Sequence, residues 1–251
     1  MHFAYIGPHG VFEQPPAETK LWRYVSLAKF SDMLATRSLH FSRGDAVNDP
    51  FEGSWARSNT PMLLARNDGT LYGDRASQLA YRRQSIAMNC WYAGEHESAA
   101  MWLLYATDGI AIQTTMGRLR SSFPKVEEGD AAKTNAVFLG LVRYVDYETE
   151  AMPADNFLWP FVHKRRSFAH EQELRALIWA PGVQNGSLTF LETGVPPEGL
   201  NVPVKLETLI EKVYVAPSSP KWFARTVAAV AERFGCQAPV EQSTLDATPF
   251  F

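Results

Sequence analysis

The chain has 251 residues, 46% hydrophobic and 12% aromatic, with a formal net charge of −3. That balance is ordinary for a water-soluble globular chain and excludes a wholesale electrostatic footprint for nucleic acid, while leaving room for a local basic patch. No apolar stretch approaches the roughly 18–20 residues that cross a bilayer, so no membrane partner is expected.

Residues 1–20, with Pro8, Pro15, Pro16 and two glycines, show no sustained period and read as an irregular lead-in. They have neither a basic leader region nor a continuous apolar one, so no secretory signal is expected. Cys90 and Cys236 lie far apart and form no C-x-x-C pair, which points to free thiols in a reducing, cytoplasmic setting and excludes a cysteine-built zinc site.

From Leu21 the reading is more regular. "LWRYVS" (21–26) predicts a strand, and Ser26 caps a following helix whose Leu27, Phe30, Met33 and Leu34 keep helical spacing. "LHFS" (39–42) is strand-like, and "RGDAVNDPFEGS" (43–54) has the composition of a turn or loop. Residues 56–74 read as loop, then 74–89 and 97–108 as helices, and "GIAIQTT" (109–115) as a buried strand. "VFLGLVRYVDY" (137–147) predicts a longer strand. "NFLWPFVHKRRSF" (156–168) is expected to be helical, with Pro160 in its first turn or at a kink.

Three further strands follow in "QELRALIWA", "SLTFLE" and "EKVYVAP". A last helix spans 220–235 between Pro220 and a C-terminal Gly235. Strands that cluster late without regular helical crossovers predict an α+β fold, with a mixed, largely antiparallel sheet flanked by helices in one domain over 21–251.

Chemistry concentrates in few places. "FAHEQELRALIWAP" (168–181) opens an apolar run with Glu171 and Glu173, two residues apart and therefore on one face of a strand, just after "HKRR" (163–166). One reading is a structural ion-pair network with Lys164, Arg165, Arg166 or Arg175. The other is a pair of working carboxylates. Arg23, between Trp22 and Tyr24, suits either anion binding or packing on an aromatic face. "NDPFEG" (48–53) reads as a turn, with Asp49 and Glu52 too few to make an oxygen-ligated metal site. His163 and His170 match no metal motif, and no phosphate loop or nucleophile elbow is present.

Five blocks, "LWRYVSLAKFSDMLATRSLHFSRGDAVNDPFEG", "CW" with "ESAAMWLLYATDGIAI", "VRYVDY", "HKRRSFAHEQELRALI" and "LIEKVYVAPSSPKW", together resemble the bacterial family called domain of unknown function 2971. That resemblance implies a phage-defence or toxin-like context. The order Arg23, Thr114–Thr115, Glu171-x-Glu173 is similar to that of ADP-ribosyltransferases, although the usual Ser-Thr-Ser is here "TT".

That second resemblance implies NAD as co-substrate. Glu173 would stabilise an oxocarbenium-like ribose and Glu171 orient or deprotonate an acceptor. Arg23 would clamp the pyrophosphate, Tyr24 or Trp102 flank the nicotinamide, and Thr114 brace the site. Lys164, Arg165 and Asn48 are the expected phosphate- or substrate-side residues. Whether the acceptor is protein, nucleic acid or water stays open. Two alternatives come from other classes. A nucleic-acid-binding protein or metal-dependent nuclease would use "HKRR", Arg82 and Arg83, with Asp49 and Glu52 as the metal ligands, and a regulatory domain would have no chemistry.

Overall fold

The computed structural model describes every residue except 1, 48, 66–74, 126–133, 185–186 and 250–251. The fold is α+β, with ten strands in a mixed, largely antiparallel sheet, as the strand pattern implies. In chain order the elements are β1 (His2–Tyr5), β2 (Lys20–Val25), α1 (Leu27–Thr36), β3 (Ser38–Arg43), α2 (Thr60–Ala65), α3 (Arg75–Gln84), β4 (Ile86–Ala93), α4 (Ala99–Tyr105), β5 (Ile110–Thr115) and α5 (Met116–Ser122). They continue with β6 (Thr134–Leu141), β7 (Arg143–Val145), β8 (His163–Arg165), β9 (Glu173–Trp179), β10 (Pro181–Gln184), β11 (Ser187–Thr193), β12 (Leu200–Pro203), α6 (Leu206–Leu209), β13 (Lys212–Val215), α7 (Lys221–Arg233) and β14 (Val240–Gln242). Among the described residues no helix is long and apolar enough to cross a membrane.

The described residues divide into two compact units, each built from three stretches of chain. The first takes residues within 1–14, 40–89 and 126–201. Its strands run β1-β6-β9-β4, with β1 parallel and β9 antiparallel to β6. Phe12, Ile86, Met88, Trp159, Phe161 and Leu177 centre its core. Strand β9 is buried along nearly its whole length. Glu173, Arg175 and Leu177 alternate onto one of its faces, so the apolar cluster and the charged residues share that face.

The second unit takes residues within 15–39, 90–125 and 202–251. Its strands run β2-β5-β13-β14, antiparallel except for the last pair, and Tyr92 and Ala93 pair with Trp22 and Leu21 at the edge of β2. Its core includes Trp22, Tyr24, Met101 and Trp102. Ser26 caps α1 as its sequence position predicts, its hydroxyl accepting from the Lys29 amide.

Several elements differ from their sequence reading. Residues 2–5 form β1 rather than an irregular lead-in, because β6 supplies a parallel partner far along the chain. "IAMN" belongs to β4, and the helix before it stops at Gln84. Helix α2 and the short turn Arg57–Asn59 occupy part of the expected loop, and α5 follows β5 directly, capped by Thr115. The strand expected over 137–147 is two strands, β6 and β7.

The largest difference lies at 156–168. The expected helix is instead the short 3-10 turn Trp159–Phe161, then strand β8, then a second 3-10 segment Arg166–Glu171. β8 is paired in parallel with β7, a tertiary ladder that outweighs local helical propensity.

Gly199 marks a close approach within the first unit. Its φ is +92°, and a Cβ there would lie 2.3 Å from the Phe41 carbonyl oxygen. Gly199→Ala is therefore expected to cost about 1–3 kcal/mol. Gly10→Ala, with nothing within 4 Å of the added carbon, should leave the midpoint of thermal unfolding unchanged.

Candidate active site and the buried charge cluster

The loop before Glu52 explains how that acid reaches the interior. Asp49 Oδ1 accepts from the Phe51 amide at 3.0 Å, and the Glu52 amide donates to the Asp49 carbonyl at 3.0 Å, closing a tight turn. Gly53 then takes φ +69°, where any Cβ would strike the Phe161 ring at 2.5 Å. The turn drives the Glu52 side chain inward, where it is 0% exposed.

There it meets Arg175, 1% exposed at the centre of β9. Nη1 and Nη2 of Arg175 donate to Glu52 Oε1 and Oε2 at 2.6 and 2.9 Å. Nε and Nη2 donate to Glu173 Oε1 and Oε2 at 2.8 and 3.1 Å, and Nη1 also donates to the Phe161 carbonyl at 2.7 Å. All five guanidinium hydrogens thus have acceptors. Lys164, buried on β8, donates to Glu171 Oε2 and lies 3.4 Å from Glu173 Oε2. The Tyr144 hydroxyl accepts from the Glu173 amide at 2.8 Å.

Glu171 and Glu173 do converge, but not for the reason their spacing suggests. Glu171 ends a 3-10 segment, Gln172 takes the left-handed φ of 37°, and only Glu173 begins the strand. Lys164 draws the two carboxylates together. Both are buried, 6% and 5% exposed, inside a network of charge-assisted hydrogen bonds.

Among the described residues three carboxylates (Glu52, Glu171, Glu173) pair with two cations (Lys164, Arg175). Burial, then partly offset by Arg175 and reinforced by Glu173, holds the Glu52 carboxyl above the usual carboxylate range. For Lys164, burial alone would lower the ammonium pKa. The Glu173 and Glu171 carboxylates outweigh burial and the opposing Arg175 charge, and the net direction is up.

The rest of "HKRR" is likewise engaged. His163 is buried with Nδ1 2.7 Å from the Trp159 carbonyl, so Nδ1 carries the hydrogen, and burial lowers its pKa. Arg165 Nη2 donates to Asp49 Oδ1 at 2.8 Å, and Arg166 pairs with Glu150 at 2.5 Å. The run is therefore split, with His163 and Lys164 buried and Arg165 and Arg166 reaching the surface in ion pairs. Asp49 and Glu52, weighed as metal ligands, are each held by an arginine.

Beside the cluster, in the same unit, lies a hollow of about 340 Å³. Phe51, Tyr147, Arg165, Arg166, Ser167 and Glu148 line it. The Arg165 guanidinium stacks 4.2 Å from the Phe51 ring and 5.3 Å from that of Phe168. Its side chain is 32% exposed, and Nη1 has no partner among the described residues. This hollow is not legible in the sequence, because Phe51 and Arg165 are 114 positions apart and "NDPFEG" suggests only a turn.

The remaining expected residues belong to the second unit, apart from Asn48, which lies outside the described residues. Arg23 Nη1 donates to the Cys90 carbonyl at 3.0 Å, and its guanidinium sits 5.8 Å over the Trp91 ring. Burial, opposed by Cys90, lowers its pKa to about 10. Tyr24 and Trp102 are core residues in edge-to-face contact at 5.0 Å. The Tyr24 hydroxyl accepts from the Ser98 amide and Trp102 Nε1 donates to Glu97. Thr114, fully buried, donates to the Leu209 carbonyl, a bracing contact. Thus Glu171, Glu173 and Lys164 come together in the first unit with Arg165 beside them, whereas in the second unit Tyr24 and Trp102 touch, and Arg23 and Thr114 have separate partners.

No family model, no curated protein and no solved structure matches this chain.

Proposed function

We propose that the first unit binds an anionic nucleotide at the hollow beside Arg165, and that NAD, as co-substrate of an ADP-ribosyltransferase-like or glycohydrolase-like reaction, is the ligand to test first. The observation that carries this reading is the Arg165 guanidinium, stacked on Phe51 at the edge of a 340 Å³ hollow, with Nη2 held by Asp49 and Nε buried without a hydrogen-bond partner among the described residues. A phosphate oxygen would accept from Nη1 and Ser167 would add a hydroxyl donor. Phe51, 40% exposed, offers a flat ring for a base or nicotinamide.

In this reading Glu171 and Glu173 are positioning residues. Their carboxylates bind Lys164 and Arg175 and so fix β8, from which Arg165 projects, rather than touching the ribose. NAD is the first nucleotide to test only because the order Arg23, Thr114, Glu171-x-Glu173 is similar to that of ADP-ribosyltransferases. The enclosed glutamates add no support for chemistry at the ribose. The enclosure of both glutamates favours a second reading, a nucleotide-binding regulatory domain without turnover.

Titration calorimetry with NAD and AMP, together with incubation of labelled NAD, separates these. Binding of NAD is expected, weakened about 10-fold in Arg165→Ala, the scale of one partly exposed charge-assisted hydrogen bond. Release of nicotinamide supports the enzyme, and bound but unchanged NAD supports the regulatory domain. The absence of any heat with either nucleotide rejects the site.

A further inference from the structure

Helix α7 carries an unused surface in the second unit. Trp222, Arg225, Thr226, Ala229, Arg233 and Phe234 border an open trough of about 540 Å³. Their spacing of three or four residues places them along one side of the helix. The buried Val227 and Ala231 hold the opposite side against the unit. Trp222 and Phe234, 58% and 40% exposed, stand at the two ends, about 18 Å apart along the axis at 1.5 Å per residue. Between them the small Thr226 and Ala229 lower the floor.

We propose that this face docks an acidic amphipathic helix of another protein. The small residues let a second backbone approach closely. The end aromatics give anchoring posts, and the arginines flank them; these are the residue types that dominate interface energetics. Charge complementarity selects the occupant. Lys221, Arg225 and Arg233 outnumber the one acid of the helix, Glu232, in a chain whose net charge is −3.

A second copy fits poorly. Antiparallel pairing about Ala229 sets each Arg225 opposite an Arg233, and like charges so placed oppose association. Nucleic acid fits less well than an acidic helix, since two arginines and a lysine make a small footprint around a largely apolar trough.

The test uses a fluorescein-labelled designed peptide of about 18 residues, long enough to span the trough as a helix, with leucines at helical spacing and glutamates flanking them. Fluorescence anisotropy is expected to give micromolar binding that weakens with salt. Trp222→Ala and the double substitution Arg225→Glu/Arg233→Glu should each weaken it at least about 10-fold. All three residues are exposed, so unchanged circular dichroism and unfolding midpoints will show that these variants fold. The proposal is overturned by equal binding of a peptide with lysine in place of glutamate, by no binding of the glutamate peptide at millimolar concentration, or by tighter binding of a labelled oligonucleotide. Sedimentation showing a dimer that the same substitutions dissolve would also overturn it.

Discussion

Arg175→Met lowers the unfolding free energy by about 3–5 kcal/mol in urea denaturation at neutral pH. The reason is what stays behind. Removing the guanidinium leaves Glu52 and Glu173 buried, with four carboxylate oxygens that have lost charged donors, and strands the Phe161 carbonyl as well. Water cannot readily take over at a position 1% exposed. The intact cluster need not itself be a net gain over apolar packing, because two buried acids and a buried guanidinium are costly to desolvate.

The triple variant Glu52→Leu, Glu173→Leu, Arg175→Met therefore recovers most of the loss, since only the balanced Lys164–Glu171 pair remains. A single-variant loss under about 1 kcal/mol would mean that water or a counter-ion reaches the cluster, and the positioning role assigned to Glu173 would fall.

How much of this was legible in the sequence depended on whether the cause was local. Ser26 announced its helix because a cap is a contact between neighbours, and "GIAIQTT" announced a strand because Ile110, Ala111 and Ile112 make a short apolar run followed by threonines that favour extended backbone. The Glu171-x-Glu173 pair was visible as a pair, and both an ion-pair network and a catalytic role were open. What decides between them is Glu52, which approaches Arg175 from 123 positions away, and a turn that reads as surface loop until Phe161 is seen packed against Gly53.

"HKRR" misled for a related reason. Four polar residues in a row suggest a solvated helix face, yet Lys164 can be interior because Glu171 and Glu173 are there to meet it. The helix expectation fails because β7 pairs with this segment as a strand, a ladder that the local sequence does not announce. The hollow beside Arg165 follows from the same strand and was hidden with it.

Lys164→Met tests the charge count directly. At neutral pH it leaves three carboxylates facing Arg175 alone and is expected to cost about 3–5 kcal/mol. In the unaltered protein the Lys164 pKa is raised on folding despite the opposing effect of burial, so its contribution is fully present at neutral pH and is lost as pH climbs above the ordinary lysine range. Glu52 runs the other way from most paired acids. Burial raises its pKa above the unfolded value, so its protonated form favours the native state, and that contribution is lost as pH rises through and beyond the usual carboxylate range.

Deleting the ammonium removes an attraction that works against burial at Glu52 and so pushes the Glu52 pKa further up, widening the window in which the native state holds more protons than the unfolded chain. Unfolding free energies of variant and parent should accordingly converge as pH is lowered from 8 toward about 5, near the upper edge of ordinary carboxylate titration. A gap that stays constant across that interval would show that the lysine contributes through packing against Phe168, whose ring lies 4.7 Å from Nζ, rather than through charge.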